Sequence, residues 1–344
     1  MKYFSFVALL ASIFSCVKAD ESNERRLRFV VLGDIGGIPV RPYSMWSQRL
    51  VSKQIAKSAT IRLLNNSRNH DNLPPKCRTK ISQRILIETW QPRLVAELDC
   101  IPNVDFFVTT GDNFYYRGVK HVDDFRFFAT YERVYSSPSL QKNWYLIAGN
   151  HDYYGNVSAQ ILYTQKSKRI PKKKNAPPAE TQMEWIKNTL NDSKADYLIV
   201  FGHHPMFSAG WHGNSQSLQD KLQDLFKQHK VNAYISGHDH NLQHIVPENS
   251  SLEHFVCGSS NFFRNWQPNR PKLEPNSLKI FIGDKPGFLV VTAKEDRLKV
   301  ELRTIKPKQK YKTLLPPRNK LPDFIKPKFP KLLEDFFNSV EKAG

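Results

Sequence analysis

Short apolar runs alternate along this chain with polar, glycine-punctuated turns, and five of those runs end alike. Arg28 to Leu32, Phe106 to Thr110, Trp144 to Ala148, Tyr197 to Phe201 and Ala233 to Ser236 are rich in apolar, β-branched and aromatic residues. Runs of this length and composition predict buried strands. A glycine follows each and lets the chain turn off the strand. Beyond the glycines come side chains that can ligate: Asp34, Asp112, Asn150 with His151, His203, and His238 with His240. Between the runs, helical spacing covers Ser44 to Ile61, Thr181 to Leu190 and Ser217 to His229. Phe288 to Ala293 and Leu298 to Thr304 predict a late antiparallel pair. Residues 62–102, polar, basic and proline-containing, form an insertion with a helix expected from Ile81 to Leu98. A short amphipathic stretch, Leu332 to Val340, ends a Lys- and Pro-rich tail.

The pattern is that of an α/β protein whose functional groups gather at the carboxyl ends of its strands, where loops converge on one crevice. Tyr115 follows Asp112 at a distance that a tight turn can close, and a carboxylate with a phenolate makes a hard anionic pair for a highly charged ion. Seven donors, Asp34, Asp112, Tyr115, Asn150, His203, His238 and His240, exceed the needs of one metal ion. The expectation is therefore two ions bridged by Asp112. Asp34, Tyr115 and His240 fall to the more highly charged one, and Asn150, His203 and His238 to the divalent one. Two ions about 3.5–4 Å apart can hold an oxyanion and share a hydroxide. The donor set carries three negative charges, so a trivalent and divalent pair leaves it positive, and phosphate is the natural target.

Composition changes this picture in three places. The 344 residues carry 51 basic and 32 acidic side chains, a formal net charge of +19, which favours anionic partners such as phosphorylated molecules. No nucleic-acid recognition motif accompanies that charge. Residues 1–19, with Lys2, an apolar core from Tyr3 to Ser15 and a small-residue cleavage site at Ala19, predict a secretory signal peptide. The apolar run is short for a membrane span, and no other segment approaches the ~20 residues one needs. Cleavage removes Cys16 and leaves Cys77, Cys100 and Cys257; Cys77 with Cys100 is the plausible disulfide, and Cys257 a buried thiol. Asn65, Asn156, Asn191 and Asn249 head Asn-x-Ser sequons open to glycosylation in a secreted chain.

The segments GDIGG, GDNFYYRG, GNHD, GHHP and GHDHN, in this order and followed by SSNFF, resemble the metallophosphoesterase superfamily. Within it they resemble the mammalian-type purple, or tartrate-resistant, acid phosphatases, from Leu27 to about Pro317. The resemblance implies a four-layer α/β/β/α sandwich of two mixed sheets spanning residues 20–317, before a basic tail at 318–344. It implies a phosphomonoester-hydrolysing acid phosphatase, secreted or lysosomal and monomeric, acting on phosphorylated small molecules or phosphoproteins. Ferric iron would sit at Asp34, Asp112, Tyr115 and His240, and iron(II), zinc or manganese at Asp112, Asn150, His203 and His238. His151 and His212 would bind phosphate and protonate the leaving group. The chain departs from the family at the insertion 62–102 and at a deletion near 170–180, where two strands of the sheet are missing. It also carries His204 in place of a tyrosine and Ile35 in place of a tryptophan. Lost strands predict unpaired sheet edges. A catalytically impaired binding protein and a related phosphodiesterase are the alternatives.

Overall fold

The computed structural model describes residues 8–9, 26–65, 104–171, 181–248, 250–306 and 310–323. Most of the insertion, the deletion site at 172–180, the tail beyond 323, Cys77 and Cys100 lie outside them, as do the expected helices at 81–98 and 332–340.

Two six-stranded mixed sheets face one another. One has the order β12-β11-β10-β2-β3-β4: Lys310–Leu315 (β12), Leu298–Thr304 (β11), Gly287–Lys294 (β10), Arg26–Leu32 (β2), Phe106–Thr109 (β3) and Asn143–Leu146 (β4). The other runs β1-β5-β6-β8-β7-β9: Ala8–Leu9 (β1), Ile199–Phe201 (β5), Ala233–Ser236 (β6), Glu253–Cys257 (β8), Leu242–Ile245 (β7) and Leu278–Ile282 (β9). β2, β3 and β4 are parallel, as are β5, β6 and β8, so the ends that carry the glycines point the same way within each sheet.

The two-residue period of the strands sorts their side chains into layers. Phe29 and Val31 point between the sheets, where they meet Phe201, Ile235, Phe255 and Cys257. Val30, Leu32 and Phe107 point outward onto Val51 and Ile55 of helix Trp46–Asn65 and onto Phe127 and Tyr131. On the far side Leu198, Val200 and Tyr234 pack against Ile186 and Leu190 of helix Gln182–Asp192 and against Phe226. Three apolar layers between four structural ones make the expected α/β/β/α sandwich.

Several details differ from the sequence reading. The helix expected over Ser217 to His229 has a π-helical middle, Gln219–Gln223, between Gln216–Leu218 and Asp224–Gln228. The outer edge of β5 pairs antiparallel with Ala8–Leu9, a segment inside the expected signal peptide, so removal of residues 1–19 would leave that edge open as the lost strands predict. β12 is a strand where the chain read as the approach to a basic tail: its alternation of exposed Lys310, Lys312 and Leu314 with half-buried Tyr311 and Thr313 is that of a solvated edge. Cys257 is buried, as expected, and its thiol donates to the Val31 carbonyl.

Candidate metal centre

The five strand–glycine turns meet at one end of the seam between the sheets. β2 leads into Gly33-Asp34, β3 into Gly111-Asp112, β4 into Gly149-Asn150, β5 into Gly202-His203 and β6 into Gly237-His238. The approach is close enough to require glycine. Gly111 has φ +98°, and a Cβ there would lie 2.5 Å from the His203 ring; at Gly149 it would lie 2.1 Å from the Asp112 carboxylate. Strain is not confined to glycines. Asp34, Asp112 and His238 adopt φ of 57°, 54° and 68°, a left-handed conformation that costs a non-glycine residue of order 1–3 kcal/mol unless its surroundings hold it.

Those surroundings are visible. Asp34 Oδ2 accepts from the His238 backbone N–H at 2.9 Å, and Asp112 Oδ1 from the His151 N–H at 2.9 Å. Asp34 Oδ1 faces the centre, and Asp112 Oδ1 also faces His203. Tyr115 Oη lies 2.9 Å from Asp34 Oδ1 and 3.0 Å from His240 Nε2, and that nitrogen lies 3.5 Å from Asp34 Oδ1. Beside this group, His203 Nε2 lies 2.9 Å from Asn150 Oδ1, 3.2 Å from His238 Nδ1 and 3.4 Å from Asp112 Oδ1. His203 Nδ1 donates to the Thr110 carbonyl at 2.8 Å, which turns Nε2 inward.

Metal–ligand bonds of about 2.0–2.2 Å hold neighbouring donors roughly 2.9–3.4 Å apart in tetrahedral or octahedral shells. The donors fall into two triads at about that spacing, an oxygen-rich one (Asp34, Tyr115, His240) and a nitrogen-rich one (Asn150, His203, His238), with Asp112 between them. Asp34, Asp112 and His203 form one group that could hold an ion, and His203, His204 and His238 another. The electrostatics agree. Burial and the Asp34 and Asp112 carboxylates push the Tyr115 phenol well above its ordinary range, a conflict that a cation relieves. Burial pulls His203 down, but the Asp112 carboxylate outweighs it and holds the ring at about 9; burial raises Asp112, but His203 and His151 bring it to about 2.

His151 and His212 border this centre. His151 Nδ1 meets the Tyr116 carbonyl at 2.6 Å, and its Nε2 stands 3.9 Å from Asp112 Oδ2. His212 is exposed, with its ring centroid 3.9 Å from that of His238. Exposed Tyr116, Tyr154, Trp211 and Trp266 surround the two histidines, and the Trp rings pack at 4.6 Å. Sequence reasoning missed the carboxylates that hold the loops. Buried Asp152 accepts from the backbone of Asn113, Phe114 and Gly149 and from the Gln160 amide; buried Asp239 accepts from the His212 N–H and the Ser208 hydroxyl. Both sit inside the quoted motifs, GNHD and GHDHN, which is the signal that could have found them.

Residues 27–242 match the calcineurin-like phosphoesterase model, and with that span covering well over half the chain, this protein belongs to the calcineurin-like phosphoesterase family. Within the family it is similar to tartrate-resistant acid phosphatase type 5 of rabbit, with 31% identity over 86% of this chain and 92% of that protein. In structure it resembles GAP50, the anchor in the inner membrane complex of Plasmodium, with a TM-score of 0.62, 23% identity and coverage of 85% and 89% of the two chains. It also resembles a purple acid phosphatase from yellow lupin seeds, with a TM-score of 0.56 and 15% identity over 85% of this chain and 54% of that one. A binuclear metal centre is what the purple acid phosphatase relatives imply, and the candidate ligands for one are present.

Proposed function

We propose that this chain is an acid phosphatase that hydrolyses phosphomonoesters at a binuclear Fe(III)–M(II) centre, where M is iron, zinc or manganese. The observation that carries the reading is the convergence of Asp34, Asp112, Tyr115, Asn150, His203, His238 and His240 from five strand ends at ligand spacing. Asp34, Asp112, Tyr115 and His240 would hold ferric iron, and Asp112, Asn150, His203 and His238 the second ion. When bound, the pair supplies positive charge for the phosphoryl oxygens and activates water.

The rest of the chemistry belongs to the chain. Water attacks phosphorus, the bond to the ester oxygen breaks, and the leaving oxygen takes a proton. His151 and His212 are the residues to bind the phosphate oxygens and give that proton. The Tyr116 carbonyl orients the His151 ring toward the donor set, and Asp239 fixes the backbone that carries His212. The signal peptide expected at 1–19 and the sequons, with Asn156 and Asn191 both exposed, support the reading of a secreted or lysosomal glycoprotein, and the +19 charge suits anionic substrates.

Purified mature protein should carry two metals per chain and cleave an aryl phosphate at acid pH. A folded protein with no metal and no activity would overturn the reading. It would favour the second one, a binding protein on the same fold, to which the likeness to the GAP50 anchor lends support.

A further inference from the structure

His204 is the one histidine in the cleft to which the binuclear reading gives no task. It follows His203 directly, and its ring comes to rest beside the same group: its centroid is 4.3 Å from that of His238 and 5.0 Å from that of His203. Candidate donor nitrogens of His203, His204 and His238 all lie within 4.8 Å of one another. The backbone beneath His204 is fixed, because its carbonyl accepts from the hydroxyl of buried Tyr234 at 2.8 Å. His203 Nδ1 donates to the Thr110 carbonyl, which turns its other nitrogen toward His238 Nδ1, 3.2 Å away. Three imidazoles gathered this closely are better served by a shared cation than by one another.

The chemistry of the third ring bears on which cation. Imidazole nitrogen suits zinc, copper, iron and nickel, whereas manganese and magnesium favour carboxylate and water oxygens. Resting on the binuclear reading, we infer that His204 is a third imidazole donor of the second metal position, beside His203 and His238, and biases that position toward zinc over manganese. A tyrosine at 204 would leave the position with two imidazoles, one amide and the shared carboxylate, a set less biased toward zinc.

The test uses the full mature protein, stripped by chelator, reloaded with iron and then offered equimolar Zn²⁺ and Mn²⁺. Metal per chain is read by mass spectrometry for wild type, His204→Tyr and His204→Asn. Cobalt(II) loaded at the same position adds a visible spectrum that reports its coordination. Thermal melting of the stripped proteins confirms that each is folded, and His204→Asn serves if the larger tyrosine is not accommodated. Wild type should prefer zinc, and both substitutions should cut the zinc-to-manganese preference by about tenfold or more and alter the cobalt bands. Two metals in every protein, with unchanged preference and unchanged cobalt bands, would overturn the role of His204 while leaving the binuclear reading intact. A folded wild type that holds no second metal would overturn both.

Discussion

The two sheets bring different chemistry to one cleft. β2, β3 and β4 deliver Asp34, Asp112, Tyr115 and Asn150, all oxygen donors; β5 and β6 deliver His203, His238 and His240, all nitrogen donors. Neither half holds itself in place. Asp34 is pinned by the backbone N–H of His238, and His203 by the carbonyl of Thr110, so each sheet orients a donor of the other. The site is therefore completed by the packing of the apolar layer between the sheets, and metal affinity and sheet–sheet packing are expected to rise and fall together.

Asp112 is where the halves join, and its loss should have the largest effect. It faces His203 Nε2 at 3.4 Å and the His151 N–H at 2.9 Å, and its charge acts on Tyr115. Asp112→Asn should lower kcat/KM on an aryl phosphate by on the order of 10³-fold or more, the scale of several kcal/mol of lost charge stabilisation, and reduce metal per chain. Activity within tenfold of wild type, with both metals retained, would show that the halves do not share this carboxylate.

The supports beneath the two halves differ as well. Asp152 gathers backbone donors from three positions and the Gln160 amide, whereas Asp239 takes the His212 N–H and the Ser208 hydroxyl. Removing a buried acceptor strands every donor it served. Asp152→Ala should cost on the order of 3 kcal/mol in urea unfolding, and Asp239→Ala measurably less. Equal costs would mean that the oxygen half is no more dependent on its buried carboxylate than the nitrogen half.

The donors were legible because each follows the same strand–glycine turn, a local signal repeated five times. The supports were not, since Asp152 and Asp239 are adjacent to stronger ligand candidates, and only the folded loops reveal which carboxylate faces the centre. The central strands declared themselves by continuous apolar runs, as in Phe29 to Leu32, which are covered on both faces. β12, solvated at Lys310, Lys312 and Leu314, lacks that signature, and β7, LQHI, hides Gln243 and His244 in the interior. The interior position of His244 depends on partners in other strands: Tyr311 of β12 meets its Nδ1 at 2.9 Å and Glu253 of β8 its Nε2 at 2.8 Å.

Tyr115→Phe sharpens the comparison on the oxygen side. Were ferric iron held by Asp34, Tyr115 and His240 as proposed, the phenolate would be the source of visible absorption, and deleting one oxygen should abolish it. The ring stays packed on Phe262 at 4.8 Å, so the fold is retained and kcat should remain within about tenfold. Colour surviving in the variant would move the ligand elsewhere.

The nitrogen-bearing sheet itself holds the smallest and most specific contrast, between His203 and His254. Asp112 holds His203 up at about 9, whereas burial, with Lys227 and His244 adding to it, pulls His254 down to about 3. His254 packs against Phe207 at 4.8 Å and Tyr234 at 6.2 Å, and neither of its ring nitrogens has a hydrogen-bond partner among the described residues. An unfolded chain binds a proton at this residue near its ordinary value of 6.5, but the folded one does so only near 3. Protonation in acid therefore favours unfolding: the stability is complete above 6.5 and falls as pH drops below it, by roughly 1.4 kcal/mol per pH unit for this one group. His254→Phe keeps an aromatic ring in the same apolar contacts, strands no hydrogen bond and cannot take up the proton. Urea midpoints for the two proteins should lie close at pH 7.5 and diverge steadily toward pH 4.5, with the variant the more stable in acid. Parallel curves over that range would mean that the folded sheet accommodates a charged His254, and that this histidine, like His203, has found a counter-charge.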